Sequence, residues 1–261
     1  MSRSFTDTFL NGAFLVMLIP AEDPRAQAAV DALHSGDVSS LKSHLQAHPE
    51  LSRTYIGDTT AARTLLHILA DWPGHRKNAP ESARALVAAG ADVNAKFIGK
   101  VHSETPLHWA ASCGDMAVID ALLDLGADVN AGGGVIAETP LADARAFLQV
   151  EAAQRLVARG AKVTLQDAAT LGLLDRVKHF YEVTQPSKND TNCALWNACH
   201  GSQIATAKFL HDIGGDVDFI PPWDTITPLD AARRSGANDV VIWLESIGAV
   251  KAPARLCTSD Q

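Results

Sequence analysis

The 261-residue sequence predicts an all-α solenoid of about seven stacked helix-turn-helix units, and three observations carry that reading. Thr105-Pro106-Leu107-His108-Trp109-Ala110-Ala111 and Thr139-Pro140-Leu141-Ala142-Asp143-Ala144 are near-copies, and Thr227-Pro228-Leu229-Asp230-Ala231-Ala232 echoes them further along. Each is followed, after a helix-sized gap, by a glycine-led close: Gly126-Ala127-Asp128-Val129-Asn130-Ala131, Gly160-Ala161-Lys162-Val163 and Gly248-Ala249. A period of about 33 residues then fits seven times between residues 24 and 250.

The repeated pattern has a physical logic. Threonine caps a first helix, and proline fits its first turn, where no backbone donor is lost. Leucine and paired alanines let two helices pack closely. A mid-repeat glycine breaks the first helix, and the second carries an apolar stripe before the closing glycine ends it in a left-handed conformation. In the clearest copy, 104–131, the first helix is predicted over 105–112 and the second over 116–125, with Val118, Ile119, Leu122 and Leu123 as the stripe.

Taken in order, residues 1–23 form an apolar lead-in. Its run from Phe9 to Ile19 has one basic residue before it and no small-residue cleavage site. It is too short to span a bilayer as a helix. The expected role is to pack over the first repeat, whose end a solenoid must cover. Residues 26–34 and 38–47 read as a degenerate capping pair of helices. The copies at 63–95, 104–131, 138–164 and 226–249 are strong, the first of them with about five extra residues in the stretch 72–80. The copy beginning at Leu165 is eroded: Val163-Thr164 runs straight into its helix and leaves no room for a finger loop. Residues 184–190 read as a polar turn before a copy at 192–218, and 251–261 as a tail.

The T-P-L-H-x-A opening, the period and the helical filling resemble the ankyrin repeat family over nearly the whole chain. The resemblance implies stacked helix-turn-helix units with short finger loops and a concave inner face, a helical cap at each end, and no catalytic residues. It also implies that His67 and His108, at the histidine of the signature, bridge neighbouring repeats.

Composition narrows the function. A net charge of −8 and pI near 5.6 argue against a nucleic-acid groove. Cys113, Cys193, Cys199 and Cys257 lack metal-ligand spacing and fit a reducing, cytoplasmic setting. Gly132-Gly133-Gly134 lacks the lysine of a phosphate cradle. His44 and His48 share helical spacing but read as an exposed pair, so no metal and no cofactor are predicted.

Function is expected where the sequence departs from the scaffold. Mapped onto an ankyrin-like repeat, the inner face takes Asp71, Trp72, Ser112, Cys113, Phe147, His200, Arg233 and Arg234 from the ends of first helices. It takes Val101, His102, Glu104, Val135, Ile136, Glu138, Trp223 and Asp224 from finger tips. With Trp109 and Trp196, four of five tryptophans then lie on or near one surface, the aromatic composition of a binding anchor. His75 lies beside Trp72. Trp109 and Trp196 have a second reading, as wedges between repeats.

The predicted function is a non-catalytic adaptor or inhibitor capturing a protein or peptide. Its anchors are Trp72, Phe147 and Trp223, its selectivity charges Asp71, Glu104, Glu138 and Asp224, and its remaining partner-binding residues His75, Trp109, Trp196 and His200. The partner is expected to be basic or neutral, not nucleic acid and not membrane, and the chain a monomer. The alternative is a small-molecule or enzymatic site in a central pocket around Asp143, Asp167, Trp196, Asn197 and His200. Depth separates the two, since a groove favours protein and an enclosed polar pocket a small molecule.

Overall fold

The computed structural model describes residues 7–11, 14–135 and 138–252, with side chains from residue 17 onward. The expectations for Ile136, for Cys257 and for most of the tail lie outside the described residues. The described residues contain fourteen α-helices, arranged as consecutive antiparallel pairs, and fall into two compact bodies, Met1–Lys162 and Val163–Gln261.

The N-terminal body holds four pairs: α1 (Pro24–Ser35) with α2 (Val38–Ala47), α3 (Leu65–Ala70) with α4 (Ala79–Ala88), α5 (Pro106–Cys113) with α6 (Met116–Asp124), and α7 (Pro140–Ala146) with α8 (Val150–Ala158). The first helices α3, α5 and α7 are short and mostly or wholly buried; every residue of α3 is buried. Second helices bury one stripe, as with Val118, Ile119, Ala121 and Leu122 on α6. Each fully buried leucine contributes roughly 2 kcal/mol, so the interlocked Leu65, Leu66, Leu69, Leu86, Leu107, Leu122 and Leu141 dominate the stack. Gly114 ends α5 at φ +68, and a Cβ there would stand 2.4 Å from Gln149 Oε1, so the turn between α5 and α6 requires glycine.

Two polar joints repeat along this body. His67 Nδ1 accepts from the Thr64 backbone N–H at 3.3 Å, while its Nε2–H donates to the Glu104 carbonyl at 3.0 Å. His108 does the same between Thr105 and the Glu138 carbonyl, at 3.0 Å each. The histidine signature is thus both the helix cap and the bridge to the next repeat. Burial pushes the His67 imidazole down to about 4 and lowers that of His108, so both are neutral. The second joint comes from the glycine-led closes. Asn94 Oδ1 accepts from Asp128 N–H at 2.8 Å, and Asn130 Oδ1 accepts from Lys162 N–H at 2.7 Å.

The lead-in is not helical. β1 (Asp7–Asn11) and β2 (Phe14–Ile19) form a hairpin, and β2 runs parallel to β3 (Tyr55–Gly57), with Leu18 opposite Tyr55 and Ile19 opposite Ile56. β3 turns back into β4 (Ala61–Arg63), which pairs with β5 (Ile98–Gly99), giving the sheet order 1-2-3-4-5. The sequence reading expected short loops as fingers and gave the lead-in no secondary structure, while its helical N-terminal cap at 26–34 and 38–47 is present as α1 and α2. The run Phe14-Leu15-Val16-Met17-Leu18-Ile19 is rich in residues that suit strands, and the open edge of the first finger offers it a ladder. Leu18, Tyr55 and Ala62 form a small satellite core, with Ile98 packed against it.

The C-terminal body holds α9 (Leu165–Thr170) with α10 (Leu174–Val183), α11 (Lys188–His200) with α12 (Ile204–Asp212), and α13 (Pro228–Arg234) with α14 (Asn238–Ser246). Its core joins Leu165, Val177, Leu195, Leu210, Leu229, Val240 and Leu244. Although the eroded copy lacks Thr-Pro, Thr164 still caps α9, with Asp167 reaching back to the Thr164 N–H at 2.9 Å. α11 begins four residues earlier than the sequence reading placed it. Ser187 and Asp190 form a reciprocal cap that converts half of the expected polar turn into helix. Among the described residues no helix is long and apolar enough to cross a membrane, and no cluster of three potential metal ligands is present.

Candidate functional site

In the N-terminal body the end of α3, the finger before α5 and the end of α7 surround a hollow of about 710 Å³. Asp71, Trp72, His102, Glu104, Trp109, Val135, Asp143 and Phe147 line it. Each residue arrives there for a local reason. Asp71 and Trp72 follow the last turn of α3, and Phe147 caps the C-terminal end of α7. Trp109 and Asp143 hold the same place in their helices, four residues beyond the capping threonines Thr105 and Thr139.

Glu104 organises the centre. Its Oε2 accepts from Trp109 Nε1–H at 2.8 Å and lies 3.2 Å from His102 Nδ1, while Oε1 accepts from the Val135 N–H at 3.2 Å. Phe97 stacks on His102 at 4.7 Å and lies 5.7 Å from Trp109, whose other ring neighbour is His67 at 5.1 Å. Trp109 is therefore both a wedge between repeats and a wall of the hollow. Trp72 and Phe147 are free of such packing, at 75% and 57% exposed.

Asp143 is the anomaly. It is only 2% exposed, and its Oδ1 has no hydrogen-bond partner among the described residues. Burial first, then the Glu104 charge, pushes its carboxyl up to about 8, against the opposing pull of Arg145. At neutral pH it is a protonated acid at the wall of an aromatic hollow.

A second hollow of about 780 Å³ adjoins the first and shares Asp71, Trp72, His102 and Trp109. Arg63 lies in it, bonded to Asp71 Oδ2 at 2.7 Å, with its guanidinium 6.0 Å from the Trp109 ring centroid. Sequence reasoning missed Arg63 and Phe97. Both lie in finger segments, and the aromatic Phe97 in its loop was the available signal for one of them.

The other sequence-predicted residues fall elsewhere. His75 is exposed and is not in either lining; its backbone N–H donates to Asp115 Oδ2 at 2.5 Å. Glu138, at φ +75, acts through its carbonyl, which receives His108 Nε2–H at 3.0 Å and Gly134 N–H at 3.2 Å. In the C-terminal body Trp196 is 4% exposed, donates Nε1–H to the Ile226 carbonyl at 3.0 Å and stacks with His200 at 5.2 Å. His200 is 7% exposed, with Nδ1 3.0 Å from Ser235 Oγ. Trp223 meets Trp196 edge-on at 6.2 Å, and Asp224 pairs with Arg234 at 3.0 Å. Asn197 donates to the Cys193 carbonyl at 2.8 Å, and Asp167 serves the cap of α9. Asp143 belongs to one body and Asp167, Trp196, Asn197 and His200 to the other.

A family model described as ankyrin repeats, in three copies, matches residues 29–133 and again 66–167, together more than half of the chain. With the histidine bridges and the paired helices, that match identifies the chain as a member of the ankyrin repeat family.

Proposed function

We propose that the chain is a non-catalytic binding module, a cytoplasmic adaptor or inhibitor that acts as a monomer and captures a protein or peptide in the hollow between Trp72 and Phe147. Ankyrin repeats are in general protein-interaction modules, which supplies the class. The observation that carries the specific reading is the pair of large, exposed aromatics, Trp72 and Phe147, lining one hollow with Trp109, Glu104 and Asp143. Anchors of this kind carry most of an interface's energy, each about 2 kcal/mol or more on truncation. No lysine or arginine is among the described lining residues of this hollow, which favours a basic or neutral partner over nucleic acid.

The competing small-molecule or enzymatic reading loses support where it was centred. Trp196 and Asn197 are buried with their side-chain donors bonded to backbone carbonyls of the scaffold, and Asp167 caps α9. Selection from a displayed random-peptide library, using the full chain and a Trp72→Ala/Phe147→Ala variant, tests the proposal. Enrichment of peptides that bind the parent and not the variant is the expected result. Peptides that bind both equally would move the site away from this hollow.

A further inference from the structure

We propose that the hollow around Asp143 is a receptor for a single lysine side chain of the partner, whose ammonium group enters between Trp109, Trp72 and Phe147 to meet Asp143 Oδ1. This inference rests on the binding reading above and specifies its chemistry.

Three features point to an ammonium group. First, the hollow combines ring faces with carboxylates, and a cation held over an indole in a partly dry site gains attraction from both. The chain already uses this contact on its own behalf, since the Arg63 guanidinium stands 6.0 Å from the Trp109 ring. Second, Asp143 Oδ1 is a buried acceptor without a partner among the described residues, a state that normally signals a missing donor. Third, both oxygens of Glu104 are already engaged, by Trp109 and His102 on one side and Val135 on the other. A guanidinium fork prefers two free oxygens of one carboxylate, whereas a compact ammonium donates in any direction and needs less.

The charges facing Asp143 give the site a distinct signature. Glu104 on the finger before α5 raises its proton affinity and Arg145 on α7 lowers it. Asp71, paired with Arg63, and His102 line the same hollow, while burial holds His108 on α5 neutral. An arriving ammonium stabilises the ionised form of Asp143, so binding near neutral pH expels the carboxyl proton to solvent.

The test uses the full chain and a probe, N-acetyl-lysine N-methylamide, with the norleucine amide as its uncharged isostere. Titration calorimetry at pH 7 in two buffers of different ionisation enthalpy reads affinity and proton release together. Saturable binding is expected, about tenfold or more tighter than the isostere. Release should approach about one proton per lysine bound. Asp143→Asn should abolish the proton release, and Glu104→Gln should weaken binding while leaving some release. Equal binding of the norleucine amide, or lysine binding with no proton release, would overturn the inference. Neither result touches the broader reading: library peptides that need Trp72 and Phe147 yet lack lysine would leave the binding module standing and remove the lysine.

Discussion

Protonating His67 should unfold the protein from the inside, and the expected size of the effect follows from the bonds that hold it. The imidazole is fully buried, its Nδ1 accepts from the Thr64 N–H, and its Nε2–H reaches the Glu104 carbonyl. Burial penalises the charged ring, so the folded-state value sits at about 4 against an ordinary 6.5, and a second proton on Nδ1 would also break the cap of α3. The folded value is depressed for a base. The stabilisation is therefore complete above about pH 6.5 and drains as pH falls toward 4, because the unfolded chain takes up the proton first. At about 1.4 kcal/mol per unit, the loss should be roughly 2 kcal/mol by pH 5 and roughly 3 kcal/mol by pH 4. Other groups also titrate in this range, so the perturbation is a difference. Urea unfolding of the parent and of His67→Gln, followed by tryptophan fluorescence at pH 7.5 and pH 5, isolates the imidazole. The variant should be less stable at pH 7.5, and the gap should narrow by about 2 kcal/mol at pH 5. Parallel pH profiles would refute the argument and show that the imidazole has another way to hold a proton.

Asp143 carries the opposite sign. Its folded value is raised, so folding is penalised as pH climbs from about 4 to 8, and Asp143→Asn should raise stability at pH 7 by roughly 2–4 kcal/mol and flatten that part of the profile; a thermal melt at pH 5 and pH 8 checks it. Trp72→Ala should change the melting free energy by less than about 0.5 kcal/mol, since the ring is 75% exposed, while weakening peptide binding by tenfold or more in a direct titration. Binding of a basic peptide should weaken between 50 mM and 500 mM salt if the carboxylates steer it, and an unchanged affinity would count against that steering. Hydrogen exchange should open α10 before α5 and α6, because Val177 is its only fully buried residue while α6 buries four.

How much of this was legible in the sequence depended on whether a residue's role is local. The helix pairs were readable because Thr-Pro, mid-repeat glycine and closing glycine act on their own neighbours. The histidine bridges were readable through family resemblance, since a carbonyl thirty or more residues away leaves no trace in spacing. The β-hairpin of the lead-in was not readable as strand, because a short apolar run fits either a helix or a strand until the partner edge is known. Within the candidate site, Trp72, Phe147 and Glu104 were identified from their positions at helix ends and finger tips. Trp196 could not be sorted from them, because a tryptophan at the signature-histidine position fits either a wedge or an anchor, and only the distant Ile226 carbonyl decides for the wedge. The abnormal acidity of Asp143 depends first on burial and then on the Glu104 charge, both brought about by folding and encoded by no local pattern.

The parallel pairing of β2 with β3 imposes an order of events on a type of fold that otherwise has none. Repeat arrays can nucleate at any pair and grow either way, since contacts run between neighbours. Here Leu18 must find Tyr55 across both α1 and α2, and the sheet is extended only when Ile98 reaches Ala62. During synthesis β2 has only its β1 edge satisfied, and its other edge must wait, apolar and unpaired, until the first helix pair and β3 have left the ribosome. That interval is where a holding chaperone, or a misplaced edge from a second chain, would compete for residues 14–19.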